Sequence, residues 1–288
     1  MQAAGVQRTR ADVPWDAVET SKGVYDQTRL ASLDSLVNES AARHIQVLLI
    51  VLRSPGWANG GALDARVPPI NDQDYANFLG FLMRRYAGKV NDYEVWNEPD
   101  GSWAWINPDP IRYTALLKTA YTYAKSINPG VNILGGSLSG FYASSTAFLQ
   151  GMYTAGAKGY FDTLSAHAYG DPPRHSNLSP EDTFSQWSAA IMPILQAQGD
   201  GGKRIWLTEH GYNTSTTGVT EAVQADYLGR AYAKVKTLAN VDNLYYYEWM
   251  NSAGGTNAAE PEQNYGMTAV DGRLKPAYTA YQTSASLP

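Results

Sequence analysis

Tyr93-Glu94-Val95-Trp96-Asn97-Glu98-Pro99 is a run with aromatic and β-branched residues that stops on an amide, a carboxyl and a proline. Its β-branched and aromatic residues predict a strand, and the proline predicts where that strand ends. A glycine- and proline-containing loop with Trp103 and Trp105 follows, and then apolar residues at three- and four-residue spacing from Pro110 to Ser126 predict a helix. The unit is strand, loop, helix, and the same order recurs on both sides of it.

Strands are expected near Val6 to Arg10, Ile45 to Leu52, Asp92 to Asn97, Val131 to Gly136, Asp162 to His167, Arg204 to Glu209 and Asn243 to Trp249. Helices are expected at Leu30 to Ala42, Asp74 to Tyr86, Pro110 to Ser126, Ser144 to Ala155, Pro180 to Gln198, Thr220 to Leu238 and Pro276 to Thr283. Several open on proline, whose missing N–H costs nothing in a first turn. Alternating strands and helices give an α/β (β/α)8 barrel of the TIM type, with strand starts at roughly forty-residue intervals against about 31 in a minimal barrel, so that the loops carry the excess. No linker or repeat divides residues 1–288, which read as a single catalytic barrel domain. Only seven of the eight strands are evident. Met1 to Gly5 read as the tail of a helix, which places the missing strand before Met1 and makes the domain N-terminally incomplete. Strand edges beside such a gap recruit other chains, so the expectation is a homo-oligomer formed through the gap, or an N-terminus rearranged to cover it.

A net charge of −5 with no long Lys or Arg run excludes a phosphate-backbone footprint and a basic membrane-surface helix, so neither nucleic acid nor membrane is an expected partner. The chain has no Cys, which removes thiolate catalysis and thiolate metal sites. Eight Trp and 20 Tyr supply many flat apolar faces with a polar edge, which suits stacking on sugar rings as well as core packing. No signal-peptide pattern follows Met1; a leader ahead of it would make the protein secreted.

In a parallel barrel, catalytic groups sit at the C-terminal ends of strands. Glu98 is at such an end. The segment Arg204-Ile205-Trp206-Leu207-Thr208-Glu209-His210-Gly211 places Glu209 in the same way three units later, across the barrel mouth. Two facing carboxyls, one protonated to assist the leaving oxygen and one ionised to attack or to activate water, are the equipment of glycoside hydrolysis. A separation of about 5 to 5.5 Å gives retention and about 6.5 to 9.5 Å inversion. Glu94 shares the parity of Glu98 but lies deeper, so an ion pair with Arg8 is expected. Glu248 alternates away from Tyr247 and Trp249 and reads as structural. His210 and His175 are expected on loops, with no acidic cluster at metal-ligand spacing. Gly135-Gly136 lacks the Lys of a phosphate loop and is expected to permit a close backbone approach at the mouth.

The chain resembles clan A retaining glycoside hydrolases, most closely the family 39 and family 5 branch, in Trp96-Asn97-Glu98-Pro99, Ser165-Ala166-His167-Ala168-Tyr169 and Thr208-Glu209. The likeness extends from Gly5-Val6-Gln7-Arg8-Thr9-Arg10 through Ser54-Pro55-Gly56-Trp57-Ala58 to Tyr247-Glu248-Trp249 and Lys275-Pro276-Ala277-Tyr278. It departs from that family in starting inside the first helix. The resemblance implies a retaining O-glycosidase acting on a β-linked oligo- or polysaccharide, with Glu98 as acid/base and Glu209 as nucleophile, and with no metal or cofactor. It further implies that Asn97 binds the sugar 2-hydroxyl, that Arg10 and Tyr169 touch the nucleophile, and that His167 and Trp249 line the sugar site. Trp57, Trp103 and Trp105 read either as core or as sugar platforms, and the latter two, which follow Glu98 in a Gly- and Pro-containing loop, are expected to be platforms. The rival expectation is a carbohydrate-binding scaffold barrel whose turnover is lost with the missing unit.

Overall fold

The computed structural model describes residues 1–170, 177–252 and 257–285. They divide into two compact units, one made of Gln7–Ser165 with Ile194–Arg204, the other of Met1–Val6, Ala166–Pro193 and Ile205–Pro288.

In the first unit, β1 (Arg8–Pro14), α1 (Trp15–Val18) and a small antiparallel pair, β2 (Glu19–Ser21) with β3 (Val24–Tyr25), precede α2 (Gln27–Ala42). The alternation then runs β4 (Gln46–Leu52), α3 (Asp72–Arg85), β5 (Asp92–Val95), α4 (Pro110–Ile127), β6 (Asn132–Leu138), α5 (Ala143–Thr154) and β7 (Thr163–His167). Their sheet order is β1-β4-β5-β6-β7, and β1 with β4, β4 with β5, and β5 with β6 pair in parallel. The halves of β7 belong to different units. In the second unit β7 is followed by β8 (Arg204–His210) and β9 (Val241–Tyr246), with α7 (Glu221–Val235) and α8 (Pro276–Ala285); α6 (Pro180–Ala197) crosses from one unit to the other at Pro193. This is the expected (β/α) barrel class with seven barrel strands, and no described helix is long and apolar enough to cross a membrane.

The helices form where caps and periodicity agree. Asp26, Asn71, Asp109 and Thr220 each accept a backbone N–H at a helix start, and Pro110 follows its cap directly. α3 buries Tyr75, Phe78, Leu79 and Leu82 on one face. β4 and β6 are buried along nearly their whole length, as parallel strands covered on both sides must be. Two helices also send a buried hydroxyl to the strand ends. Tyr75 donates to the Val51 carbonyl at 2.6 Å and accepts from Trp96 N–H at 3.2 Å. Tyr113 of α4 donates to Val95 O at 2.9 Å and accepts from Gly136 N–H at 3.0 Å. Tyr113 thereby bridges Val95 O and Gly136 N–H, while Trp96 N–H also reaches Val51 O directly at 2.9 Å.

Polar side chains are layered along the first unit's strands. Arg8 pairs with Asp92 at 3.1 Å, Asp92 accepts from Asn132, and Thr163 donates to Asn132. Two residues further along, Arg10 pairs with Glu94 at 3.1 Å, and Ser165 Oγ donates to the same carboxylate. Glu94 is therefore the interior ion-paired residue expected, but its partner is Arg10 rather than Arg8. The register explains the correction: Arg10 lies level with Leu48 and Leu48 with Asp92, so each arginine reaches one layer up and Glu94 is two layers above Arg8. Gly135 and Gly136 do permit a close approach, although within β6: a Cβ at Gly136, where φ is +100°, would lie 2.9 Å from Leu164 and 3.0 Å from the Ser165 carbonyl.

Candidate active site

β5 ends at Val95, and the next three residues turn sharply. Trp96 and Glu98 both adopt left-handed backbone, with φ of 66° and 46°; such strain in non-glycine residues costs on the order of 1 to 3 kcal/mol and gathers at functional sites. It is held by burial of the Trp96 ring against Trp105 and by hydrogen bonds from Trp96 Nε1 to Ala104 O (3.0 Å) and from Glu98 N to Ser137 O (3.0 Å). Arg10 donates to Asn97 Oδ1 at 2.6 Å. Arginine is donor-only, so the Asn97 amide must present its oxygen there and its NH2 elsewhere.

The Glu98 carboxyl is almost fully buried and accepts the indole N–H of Trp103 through Oε2. Asp100, two residues on, ties this loop to the one after β6. Its carboxylate accepts from Ser139 N (3.0 Å), Ser139 Oγ (2.9 Å) and Ser145 Oγ (2.6 Å). Burial raises the Asp100 carboxyl above its ordinary range, against those hydrogen bonds. Neither Asp100 nor its serines stood out in the sequence.

In the second unit Glu209 is the penultimate residue of β8. Its Oε2 accepts the Tyr169 hydroxyl at 2.7 Å and lies 3.5 Å from His167 Nδ1. Tyr169 and His167 are buried. Ala168, between them, donates its N–H to Glu209 O and accepts at its own carbonyl from His210 Nδ1, so β7 and β8 are pinned at the height of the carboxyl. His210 ends β8 rather than lying on a loop, and burial pulls its imidazole down to about 4, leaving it neutral. His175 lies outside the described residues.

Tyr169 also packs edge-on to Tyr247 (6.3 Å) and Tyr265 (5.8 Å). Gly211 makes room for this cluster, since a Cβ there would sit 2.0 Å from the Tyr247 carbonyl. Trp249 was expected to line the site, but it packs 5.7 Å from Tyr278, beside Leu228, Met267 and Ala277. β9 ends at Tyr246, and strand alternation no longer governs which way residue 249 points. The aromatic residue beside Tyr169 is Tyr247, whose signal was its place directly after the strand.

Of the three candidate platforms, Trp103 is exposed beside Glu98. Trp105 is a correction: it is buried between Trp96 (4.9 Å) and Tyr113 (6.0 Å) and has no face to offer a sugar. Trp57 is half-buried, donates to Glu19 O at 2.9 Å, meets Trp15 edge-on and carries Lys22 over its ring, which anchors the β2–β3 pair.

Beyond Tyr247 lies a polar cluster. Glu248 is half-buried; burial pushes its carboxyl up to about 7, a hydrogen bond from Ser252 opposing and Glu262 adding. Buried Lys275 donates to Thr214 Oγ1 (3.0 Å), Asn251 Oδ1 (2.9 Å) and Asn264 O (3.4 Å), and burial pulls its ammonium down to about 8. It fastens together the segments after β8 and β9.

No protein-family model matches the chain, and no curated protein matches it in sequence. Solved structures do match. A family 39 glycoside hydrolase from the gut symbiont Bacteroides cellulosilyticus WH2 is 25% identical, with a TM-score of 0.82 over 99% of this chain and 59% of its own. A glucosidase from Croceicoccus marinus (16% identity, TM-score 0.77) is matched over 99% of this chain and 62% of its own. A GH5_18 protein from Bifidobacterium longum subsp. infantis (14%, 0.78) is matched over 99% and 70%. The chain thus spans less than two thirds of the length of the first two, and its fold is that of the family 39 and family 5 glycoside hydrolase barrels.

Proposed function

We propose that this chain is the catalytic barrel of a retaining glycoside hydrolase that cleaves a β-linked oligo- or polysaccharide with Glu98 as acid/base and Glu209 as nucleophile. The observation that carries the reading is that Glu98 follows β5 by three residues, Glu209 is the penultimate residue of β8, and each carboxyl accepts from an aromatic donor, Trp103 N–H on Glu98 and Tyr169 O–H on Glu209. The likeness to a family 39 hydrolase supports it.

In the proposed reaction Glu98 gives its proton to the glycosidic oxygen while a Glu209 oxygen bonds the anomeric carbon and the leaving C–O bond breaks. The Tyr169 hydroxyl, donating to Oε2 at 2.7 Å, would orient the carboxylate for that attack. Glu98, now ionised, takes a proton from water; the water oxygen bonds the anomeric carbon and Glu209 departs, so the configuration is retained. Asn97, held by Arg10, offers its NH2 to the sugar.

The test is hydrolysis of a panel of aryl β-glycosides and β-linked polysaccharides by the protein and by Glu98→Gln and Glu209→Gln. The expected result is turnover that both substitutions abolish, product with retained configuration, and an activated fluoroglycoside trapped as an ester on Glu209. Sugar binding without turnover across the panel would establish a carbohydrate-binding scaffold instead.

A further inference from the structure

At the end of β5 opposite Glu98, the first unit holds a hollow of about 540 Å³, within the range that small molecules occupy. It lies where β4 and β5 begin and α3 and α4 finish, and Met83, Val90, Ile127 and Val131 give it apolar walls. The N-terminal face of a parallel barrel ordinarily serves packing, and packing closes such spaces.

Tyr93 sets this space apart. Its neighbours Asp92 and Glu94 are met by Arg8 and Arg10 in the barrel interior, so strand alternation turns Tyr93 the other way, toward the helices. It lines the hollow and is 1% exposed, and among the described residues its hydroxyl has no hydrogen-bond partner. A buried hydroxyl left so is costly. The asparagines nearby do not relieve it, because they are spent on the backbone: Asn91 Nδ2 donates to Gly130 O at 3.2 Å, and Asn128 Oδ1 accepts from Gly130 N at 2.9 Å.

Charge at the rim selects the ligand. Arg84, which lines the hollow, pairs with no carboxylate among the described residues and donates to Tyr123 Oη at 2.9 Å. Lys89, also on the rim, donates to Asn38 Oδ1 at 2.6 Å, and Asp34, whose field it shares, is already bound by Arg85. Against these two positive charges stand the C-terminal ends of α3 and α4, about half a negative charge each, and Asp92, which Arg8 offsets. The balance is about one positive charge. We propose that the hollow binds a hydroxylated aromatic carboxylate. Its ring covers the apolar walls, an oxygen at its buried end accepts from the Tyr93 hydroxyl, and its carboxylate meets Arg84 at the rim. Binding there does not depend on turnover at Glu98.

The experiment titrates the full chain with three probes: 3-(4-hydroxyphenyl)propionate; 3-phenylpropionate, which lacks the ring hydroxyl; and 3-(4-hydroxyphenyl)propanamide, which lacks the charge. Calorimetry gives the affinities, and the Met83 and Ile127 methyl resonances locate the bound molecule. The hydroxy acid should bind with a Kd below about 1 mM, and each analogue about five- to tenfold more weakly. Tyr93→Phe keeps the packed ring and should erase the difference between the two acids. Arg84→Gln should erase the difference between acid and amide while leaving the first difference in place. Wild-type protein that binds none of the three saturably, binds all three equally, or shifts methyl resonances only elsewhere would show that the Tyr93 hydroxyl faces water alone, and the proposal would fall whatever the outcome of the hydrolysis panel.

Discussion

Replacing Tyr169 by Phe removes one hydroxyl and leaves the ring that packs on Tyr247 and Tyr265. Since that hydroxyl orients Glu209, kcat should fall on the order of 10- to 100-fold with a smaller change in KM; steady-state kinetics that show no loss would take Tyr169 out of the site. Glu248 belongs to stability. The folded protein keeps its proton up to about pH 7, against an ordinary value of 4.5, so folding is weakened as pH rises between those two values. Urea unfolding at pH 5 and pH 7.5 should show Glu248→Gln losing about 1 to 2 kcal/mol less than wild type across that interval, a half-buried group being partly screened. Lys275 has the opposite sign: its proton is bound less tightly in the folded state, so its contribution improves from about pH 8 to its ordinary 10.5. Glu209 lies within β8, where position along the strand determines where a side chain emerges, whereas Tyr169, two residues beyond β7, was expected only from the resemblance. Trp105 and Trp249 were not legible, because each lies in a loop whose path depends on contacts far away in sequence.

At the scale of elements, the loop after β5 is held from outside itself. Asp100→Ala removes the hydrogen bonds to Ser139 in the loop after β6 and to Ser145 of α5, and leaves Ser139 N–H buried without its partner. The expected cost is about 2 to 3 kcal/mol in denaturant titration, with at least tenfold in kcat, because a shift of about 1 Å in Glu98 is costly to a positioned acid. Calorimetry and kinetics on one preparation would separate the two effects. The seven barrel strands and their helices could be read from periodicity and proline placement to within a few residues. β2 and β3 could not: strands of three and two residues are shorter than any alternation that could announce them.

For the whole molecule, the barrel class followed from repeated strand and helix, and the solved hydrolase structures share it. Among the described residues β1 pairs only with β4, and β9 only with β8. The strand order ends at β1 and β9, and we propose, as the sequence led one to expect, that copies of this chain associate. Light scattering should then give a mass above the 31.4 kDa of one chain, falling toward it on dilution; a monomer at every concentration would dispose of the idea. The division into units has a consequence for synthesis. Residues 194–204 belong to the first unit although the second unit's stretch Ala166–Pro193 precedes them. They are fastened there by Tyr153 to Asp200 at 2.8 Å, Lys158 to Gln198 O at 2.5 Å and Lys203 to Phe161 O at 3.2 Å. A nascent chain that has released β7 from the ribosome still lacks these clasps, and must wait some forty residues more before its first half can be completed.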